Sequence, residues 1–288
     1  MSKNFKSGWI RDIADPRDAA PDQVKHGTEH KKRMRVAEHF KSSKATQKAA
    51  AIPSKRVDLV EFCSPVEDQK NLGSCTANAG AGLMEYYENR AFGHYTDASR
   101  LFLYKVTRNL LGWHGDTGAY LRSTMKAMAL FGTLPEKHYP YDVSNFDQEP
   151  TAFDYSFAQN YQGLSYYRLD QKGLSKSDVL GRVKTFLARG YPSMFGFDVY
   201  NFGNAKGEIR YPNASDVYRG GHAVVAIGYD DDRQIESEKG ALMIRNSWGE
   251  DWGDNGYGWL PYKYITTGMA VDFWSLFRQE YIDTKRFE

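Results

Sequence analysis

Cysteine is scarce in this chain. Only Cys63 and Cys75 occur in 288 residues, too few for a fold built on disulfides. Nor is there a long apolar run: no stretch reaches the roughly 18 consecutive apolar residues of a membrane span. The first residues, MSKNFKSGWIRDIADPRD, lack the apolar core of a secretory signal, which predicts a cytoplasmic location or export by a signal-independent route. Charge of one sign is also missing, since the formal net charge is only +2. Histidines 26, 30, 39, 94, 114 and 138 show no metal-ligand spacing, so no metal and no organic cofactor is implied. Asp230, Asp231 and Asp232 lack the alternate spacing and closing glutamate of a calcium loop and read as a solvated acidic turn.

What is present is a chain long enough to bury a substantial core, as one large domain or two lobes. Within it, one cysteine stands out. Cys75 lies in QKNLGSCTAN, after Gly73 and Ser74 and at the start of a helix-like run. A helix beginning there would aim unpaired N–H groups and the positive end of its dipole at the sulfur, favouring the thiolate. Gly73 and Ser74 leave room for a substrate backbone, and Gln69 offers a neutral amide donor to a developing oxyanion. Alone the pattern is weak, because buried cysteine is common as a small apolar residue, and that is the simplest reading of Cys63.

Two distant stretches add to it. In GGHAVVAIGYDDD, His222 follows Gly221 and opens an apolar run that reads as a buried strand. In ALMIRNSWGEDWG, a second apolar strand delivers Asn246, followed by Trp248. Thiol hydrolysis needs a thiolate, an imidazole that can protonate a leaving group, and a third group that fixes the imidazole. The three types occur in the order Cys, His, Asn.

With its flanks, that order resembles the papain family of cysteine peptidases. The likeness covers roughly residues 52 to 275, from IPSKRVDLVEFCSPVEDQKNLGSC to NSWG, WG and GYG. The resemblance implies an α+β, two-lobe fold, with a helical left lobe over about 70–155, a β-barrel-like right lobe over about 160–280, and the active-site cleft between them. It implies Cys75 as nucleophile, His222 as general acid/base, Asn246 as its orienter, Gln69 as oxyanion donor, and Trp248 as the indole covering the His-Asn pair. It also implies substrate contacts from Gly73, Ser74, Gly118, Leu121, Gly221 and Ala223, with Gly118 pairing its backbone with a bound peptide and the stretch from Met269 to Asp272 adding to the second subsite. The chain departs from the family at Leu72, where a disulfide cysteine is usual, at Thr76, where Trp is usual, and at Gly221, where many members carry Asp. The interval from His222 to Asn246 is long, its surplus lying in the polar loop DDDRQIESEKG.

In chain order, residues 1–51 form an extension ahead of a peptidase domain over 52–288. The extension holds 12 Lys and Arg against 6 Asp and Glu, a net +6 that leaves −4 on the rest. It carries no nucleic-acid motif and no aromatic interleaving, which argues against a nucleic-acid partner. Trp9, Ile10 and Ile13 are expected to bury apolar surface as the inhibitory, docking part, with Lys25 to Lys48 as a tether. Helices are expected from Ser74 to Phe92, from Arg100 to Leu111 with Ser99 as cap, over 119–132 and over 178–188. Strands are expected from PSMFGFDV, HAVVAIGYD, ALMIRNSW and YGWLPYKYI.

The function these readings predict is a cysteine endopeptidase acting on peptide or protein substrates and held latent in cis by its amino-terminal segment. Two other readings stand beside it: an inactive peptide-binding protein with the same fold, and a cysteine transferase or amidase using the same triad.

Overall fold

The computed structural model describes residues 6–13, 15, 18, 54–201 and 207–279. The tether expected over Lys25 to Lys48, and His26, His30 and His39, lie outside them. Elements follow in chain order: β1 (Trp9–Ile10), β2 (Arg56–Asp58), α1 (Cys75–Phe92), α2 (Arg100–Leu111), β3 (Ala119–Tyr120), α3 (Leu121–Leu130), α4 (Ala152–Ala158), β4 (Gly163–Arg168), α5 (Lys176–Ala188), β5 (Ser193–Tyr200), β6 (Tyr218–Ile235), β7 (Glu238–Arg245), β8 (Tyr257–Pro261), α6 (Lys263–Thr267) and β9 (Ala270–Gln279).

The first half is helical. α1 is buried along nearly its whole length, and its small residues let neighbours close in. A Cβ on Gly80 would stand 3.0 Å from both Leu103 and Met128, and one on Gly82 only 2.3 Å from the Arg245 guanidinium. Those neighbours are side chains of α2, α3 and β7, so the glycines make room for side chains and not for a second backbone. Ser99 caps α2 by accepting from the Phe102 N–H, and Gly112 ends it in the left-handed conformation.

The second half is one antiparallel sheet in the order β4-β9-β5-β6-β7-β8, with β2 added to β6. The expected barrel-like lobe is therefore an open sheet: among the described residues no pairing joins β4 to β8. Apolar clusters line both halves, one around α1, α2 and α3 and one between the sheet and α5 and α6. No described helix is long and apolar enough to cross a membrane.

Two expectations fail here. Asp230, Asp231 and Asp232 are not a turn but part of β6, and the polar loop after them is the tip of a long hairpin with β7. The strand survives its charge because Lys184 meets Asp231 at 2.6 Å, and Lys55 and Lys239 meet Asp232 at 3.1 and 2.9 Å. Glu236, at φ 49°, makes the reversal. The run YGWLPYKYI is likewise strand only through Pro261, then the short helix α6.

β1 stands apart, because it belongs to the extension. It pairs in parallel with β3, Trp9 opposite Ala119 and Ile10 opposite Tyr120. This places Trp9 and Ile10 in the groove where α1 and α3 face β5 and β6.

Candidate active site

Cys75 is the first residue of α1 and fully buried. Backbone N–H groups of Ala223 from β6, Gly8 from the extension, Thr76 and Cys75 itself act to lower the thiol's pKa. Despite these donors the thiol is pushed up to about 12, because burial outweighs them. Burial of the sulfur beneath the extension thus favours the thiol over the expected thiolate.

His222 and Asn246 come from neighbouring strands. Their contact is short, His222 Nε2 to Asn246 Oδ1 at 2.7 Å. The backbone N–H of Ser247 also donates to Asn246 Oδ1, at 2.8 Å, which fixes which end of the amide is oxygen. Oδ1 can only accept, so Nε2 carries the proton and Nδ1 is left as the basic nitrogen. Nδ1 is buried and has no hydrogen-bond partner. Burial pushes the imidazole down to about 4, against the opposing Asn246 bond. Trp248 stacks on the ring at 4.5 Å and 23°, and Phe197 meets its edge at 5.8 Å.

Gln69 is held from three directions. Its N–H donates to Ser247 O at 2.8 Å, its Oε1 accepts from Ser247 Oγ at 2.6 Å, and its Nε2 donates to Leu72 O at 2.8 Å. Nε2 also reaches Lys6 O at 3.4 Å. A chain of hydroxyls supports the turn: Asn78 Nδ2 donates to Ser74 Oγ at 3.1 Å, Ser74 Oγ meets Tyr141 OH at 2.6 Å, and Tyr141 OH donates to Gln69 O at 2.9 Å. Ser74 is fully buried in that chain, and its hydroxyl helps build the turn.

The extension threads past these groups. Gly8 lies so close to Gly73 that a Cβ on it would stand 2.0 Å from Gly73 O, and a Cβ on Gly118 would stand 2.3 Å from Gly8 O. Ala119 N–H donates to Gly8 O at 2.8 Å. The backbone pairing expected at Gly118 therefore falls one residue later, because Gly118 N–H is taken by Tyr104 OH at 2.9 Å. Trp9 is 6% exposed, and its indole fills the space left by two absent side chains: a Cβ on Gly196 would stand 1.9 Å from it and one on Gly221 2.4 Å. Gly221, where an Asp was usual, is thus the floor under Trp9. Leu121, Ala223 and Val271 share its apolar cluster.

Ile10 is half-buried, but Ile13 is 77% exposed, against expectation. The buried residue is Asp12, because successive side chains of an extended chain point to opposite faces. Asp12 N–H donates to Asp272 Oδ2 at 2.7 Å, and Asp12 Oδ2 accepts from the Arg122 N–H at 3.2 Å and from Trp274 Nε1 at 3.1 Å. Asp18 follows, chelated by Arg122 through two 2.7 Å bonds and reached by Arg168 at 3.2 Å. Arg122, Arg168, Tyr141, Asp116 and Ser247 were all missed in the sequence, because their partners lie tens to hundreds of residues away and no local pattern marks them.

One group of carboxylates, Glu67, Asp97 and Glu136, converges closely enough to hold a cation. Arg100 lies among them, 2.7 Å from Glu67 and 2.9 Å from Glu136, so a guanidinium supplies that charge. His114 and His94 are exposed.

A family model described as papain family cysteine protease matches residues 53–272. An uncharacterized peptidase C1-like protein of Acanthamoeba polyphaga mimivirus is 35% identical over 229 residues, 76% of this chain and 71% of the relative. Among solved structures, xylellain, a cysteine protease from Xylella fastidiosa, superposes with a TM-score of 0.73 at 32% identity, covering 95% of this chain and 96% of the other. Chicken cathepsin K is 26% identical over 204 residues, and the chain spans 54% of its length. The chain belongs to the papain family of cysteine proteases, hydrolases whose fold it shares over most of its length.

Proposed function

We propose that the chain is a cysteine endopeptidase whose chemistry is carried by Cys75, His222, Asn246 and Gln69. The supporting observation is the fixed tautomer of His222: with Nε2–H committed to Asn246 Oδ1, Nδ1 is the nitrogen left to exchange a proton with the thiol and the leaving amine. The thiolate attacks the peptide carbonyl, forming the C–S bond, while Gln69 Nε2 and the Cys75 N–H receive the oxyanion. Imidazolium then gives its proton to the amine as the C–N bond breaks, leaving a thioester. Water, deprotonated by His222, cleaves the thioester and returns Cys75.

Residues 1–51 act as a latency segment on a peptidase domain over 52–288. Support comes from Gly8 packed against Gly73 beside a fully buried Cys75, and from Trp9 against Gly196 and Gly221. A transferase or amidase would use the same triad, and no separate observation favours it, or a bare peptide-binding protein, over the endopeptidase.

The test is covalent labelling with an epoxide or vinyl-sulfone peptide. A chain beginning near Ile52 should label stoichiometrically and faster than the full chain, and Cys75→Ala should abolish labelling. Labelling that persists in Cys75→Ala removes the mechanism, and equal rates for the long and short chains remove latency.

A further inference from the structure

The groove carries a carboxylate that the chemistry above does not use. Asp116 ends the turn before β3, and its side chain is 13% exposed. Its Oδ1 is saturated: Gly73 N–H donates to it at 2.9 Å and Tyr104 OH at 2.6 Å. Tyr104 OH in turn accepts from Gly118 N–H at 2.9 Å. One oxygen is therefore locked between the two glycine turns, and the other faces along the groove. Oδ2 meets Lys6 Nζ at 2.6 Å. Among the described residues Lys6 is the only cation in ion-pair contact with Asp116. Arg108, a buried cation lying over the Tyr104 ring, is turned to Asp147 at 2.7 Å.

The position of Lys6 gives this pair its meaning. Its carbonyl is the one that approaches Gln69 Nε2, at 3.4 Å, and in a substrate the carbonyl at the oxyanion donor is the one attacked. The side chain of that same residue reaches Asp116. No side chain on the body stands in its way, because the turns flanking it present Gly73 and Gly118, and a Cβ on Gly73 would stand 2.9 Å from the Asp116 oxygen. A carboxylate held by two donors, half screened from water and open on one side is arranged in advance for a cation.

We propose that Asp116 is a specificity-determining residue, selecting lysine or arginine on the substrate residue that supplies the scissile carbonyl. The proposal rests on the peptidase reading above. The extension then occupies this site with the side chain of a lysine of its own. Specificity of this kind is a ratio of kcat/KM values. A segment that closes the groove lowers every substrate's rate by the same open fraction, so the ratio is readable in the full chain.

The experiment uses the full chain and a peptide series differing only at the acyl-side residue: Lys, Arg, Met and Glu. Lys and Arg should exceed Met by about tenfold, the scale of one charge-assisted hydrogen bond in a half-buried site, and Glu should be poorest. In Asp116→Asn, which keeps an oxygen for Gly73 N–H and Tyr104 OH, the Lys to Met ratio should fall toward one. A native ratio near one, or a ratio unmoved by Asp116→Asn, overturns the proposal. The same peptides titrated onto full-length Cys75→Ala, where no turnover is needed, should bind in the same order. Ordered binding without hydrolysis by the native chain would leave the Asp116 site standing and remove the peptidase reading. Hydrolysis without preference does the reverse.

Discussion

The backbone N–H of Asp12 donates to Asp272 Oδ2 at 2.7 Å, joining positions 260 residues apart in sequence. That bond is the centre of a latch. Around it stand Arg122 and Arg168, both stacked toward Trp274 at 5.8 and 5.6 Å from the ring, and both engaged with Asp18. The extension thus places its own acids on two arginines of the body: Arg168 is also answered by Asp170 and Asp272, whereas Arg122 pairs with Asp12 and Asp18 of the extension.

Asp18→Asn should loosen that latch without touching the body. It removes the charge from two short bonds to Arg122 and one to Arg168. Charge-assisted bonds in partly buried sites are worth about 1.5–3 kcal/mol, so labelling of Cys75 in the full chain should speed up by about tenfold or more. The rate constant for labelling checks it, and a rate unchanged from native means Asp18 holds nothing.

Gly196→Ala is the complementary change, made on the body. Its methyl group would stand 1.9 Å from the Trp9 indole, a distance no pair of carbon atoms tolerates. Trp9 must leave or tilt, and losing a buried tryptophan costs about 3–5 kcal/mol in a core. Faster labelling of the full chain, on the order of a hundredfold at that cost, is expected. Trp9→Ala should match it, and a slower rate in both would show that Trp9 does not seat the extension.

Seating should also depend on pH, and its direction follows from Asp272. Burial first, then the neighbouring Asp12, pushes the Asp272 carboxyl up to about 7, while Arg168 opposes. Asp12 is raised as well by burial, with Arg122 and Arg168 opposing. Without the extension Asp272 loses Asp12 and the burial the extension gives it, so its carboxyl falls back toward the free value near 3.9. A group raised in the seated state contributes fully below that free value, and the contribution is lost as pH rises through about 7. The extension should therefore sit tightest in mild acid and release toward neutral pH. Labelling of the full chain, divided by that of the chain beginning near Ile52, should rise over this window. Asp272→Asn should flatten the rise, and a ratio that falls with pH would contradict the assignment.

Catalytic variants should separate by role in the chain beginning near Ile52. Cys75→Ser and His222→Ala should abolish hydrolysis while the fold persists. Asn246→Ala should cost less, because it removes only the partner that holds the ring. Gln69→Ala should lower kcat by about a hundredfold with little change in KM. Circular dichroism with steady-state kinetics decides each case, and a change confined to KM would make Gln69 a binding residue.

What could be read in the sequence was what is local in it. The NSWG run, the glycines before His222 and the small residues after Cys75 each sit within one element, and the periodicity of α1, α2 and α5 is set by neighbours a few positions away. Long-range electrostatics was invisible. The acids of β6 look like a turn until Lys55, Lys184 and Lys239 are seen to neutralise them. Ile13 looks like an anchor until the alternation of an extended chain sends it outward and Asp12 inward. Nothing near Ser74 in sequence announces Tyr141 as the partner of its hydroxyl.

The seated extension touches both walls of the groove at once. It is bonded to the helical wall through Ala119, Asp116 and Arg122, and to the sheet wall through Asp272 and Arg219, with an ion pair from Arg11 to Asp198. Ties on both banks make a brace as well as a plug. While it is in place the two walls cannot part or slide without breaking bonds on one side, so the width of the groove is frozen. Were the extension to leave, ties on both walls would be lost together.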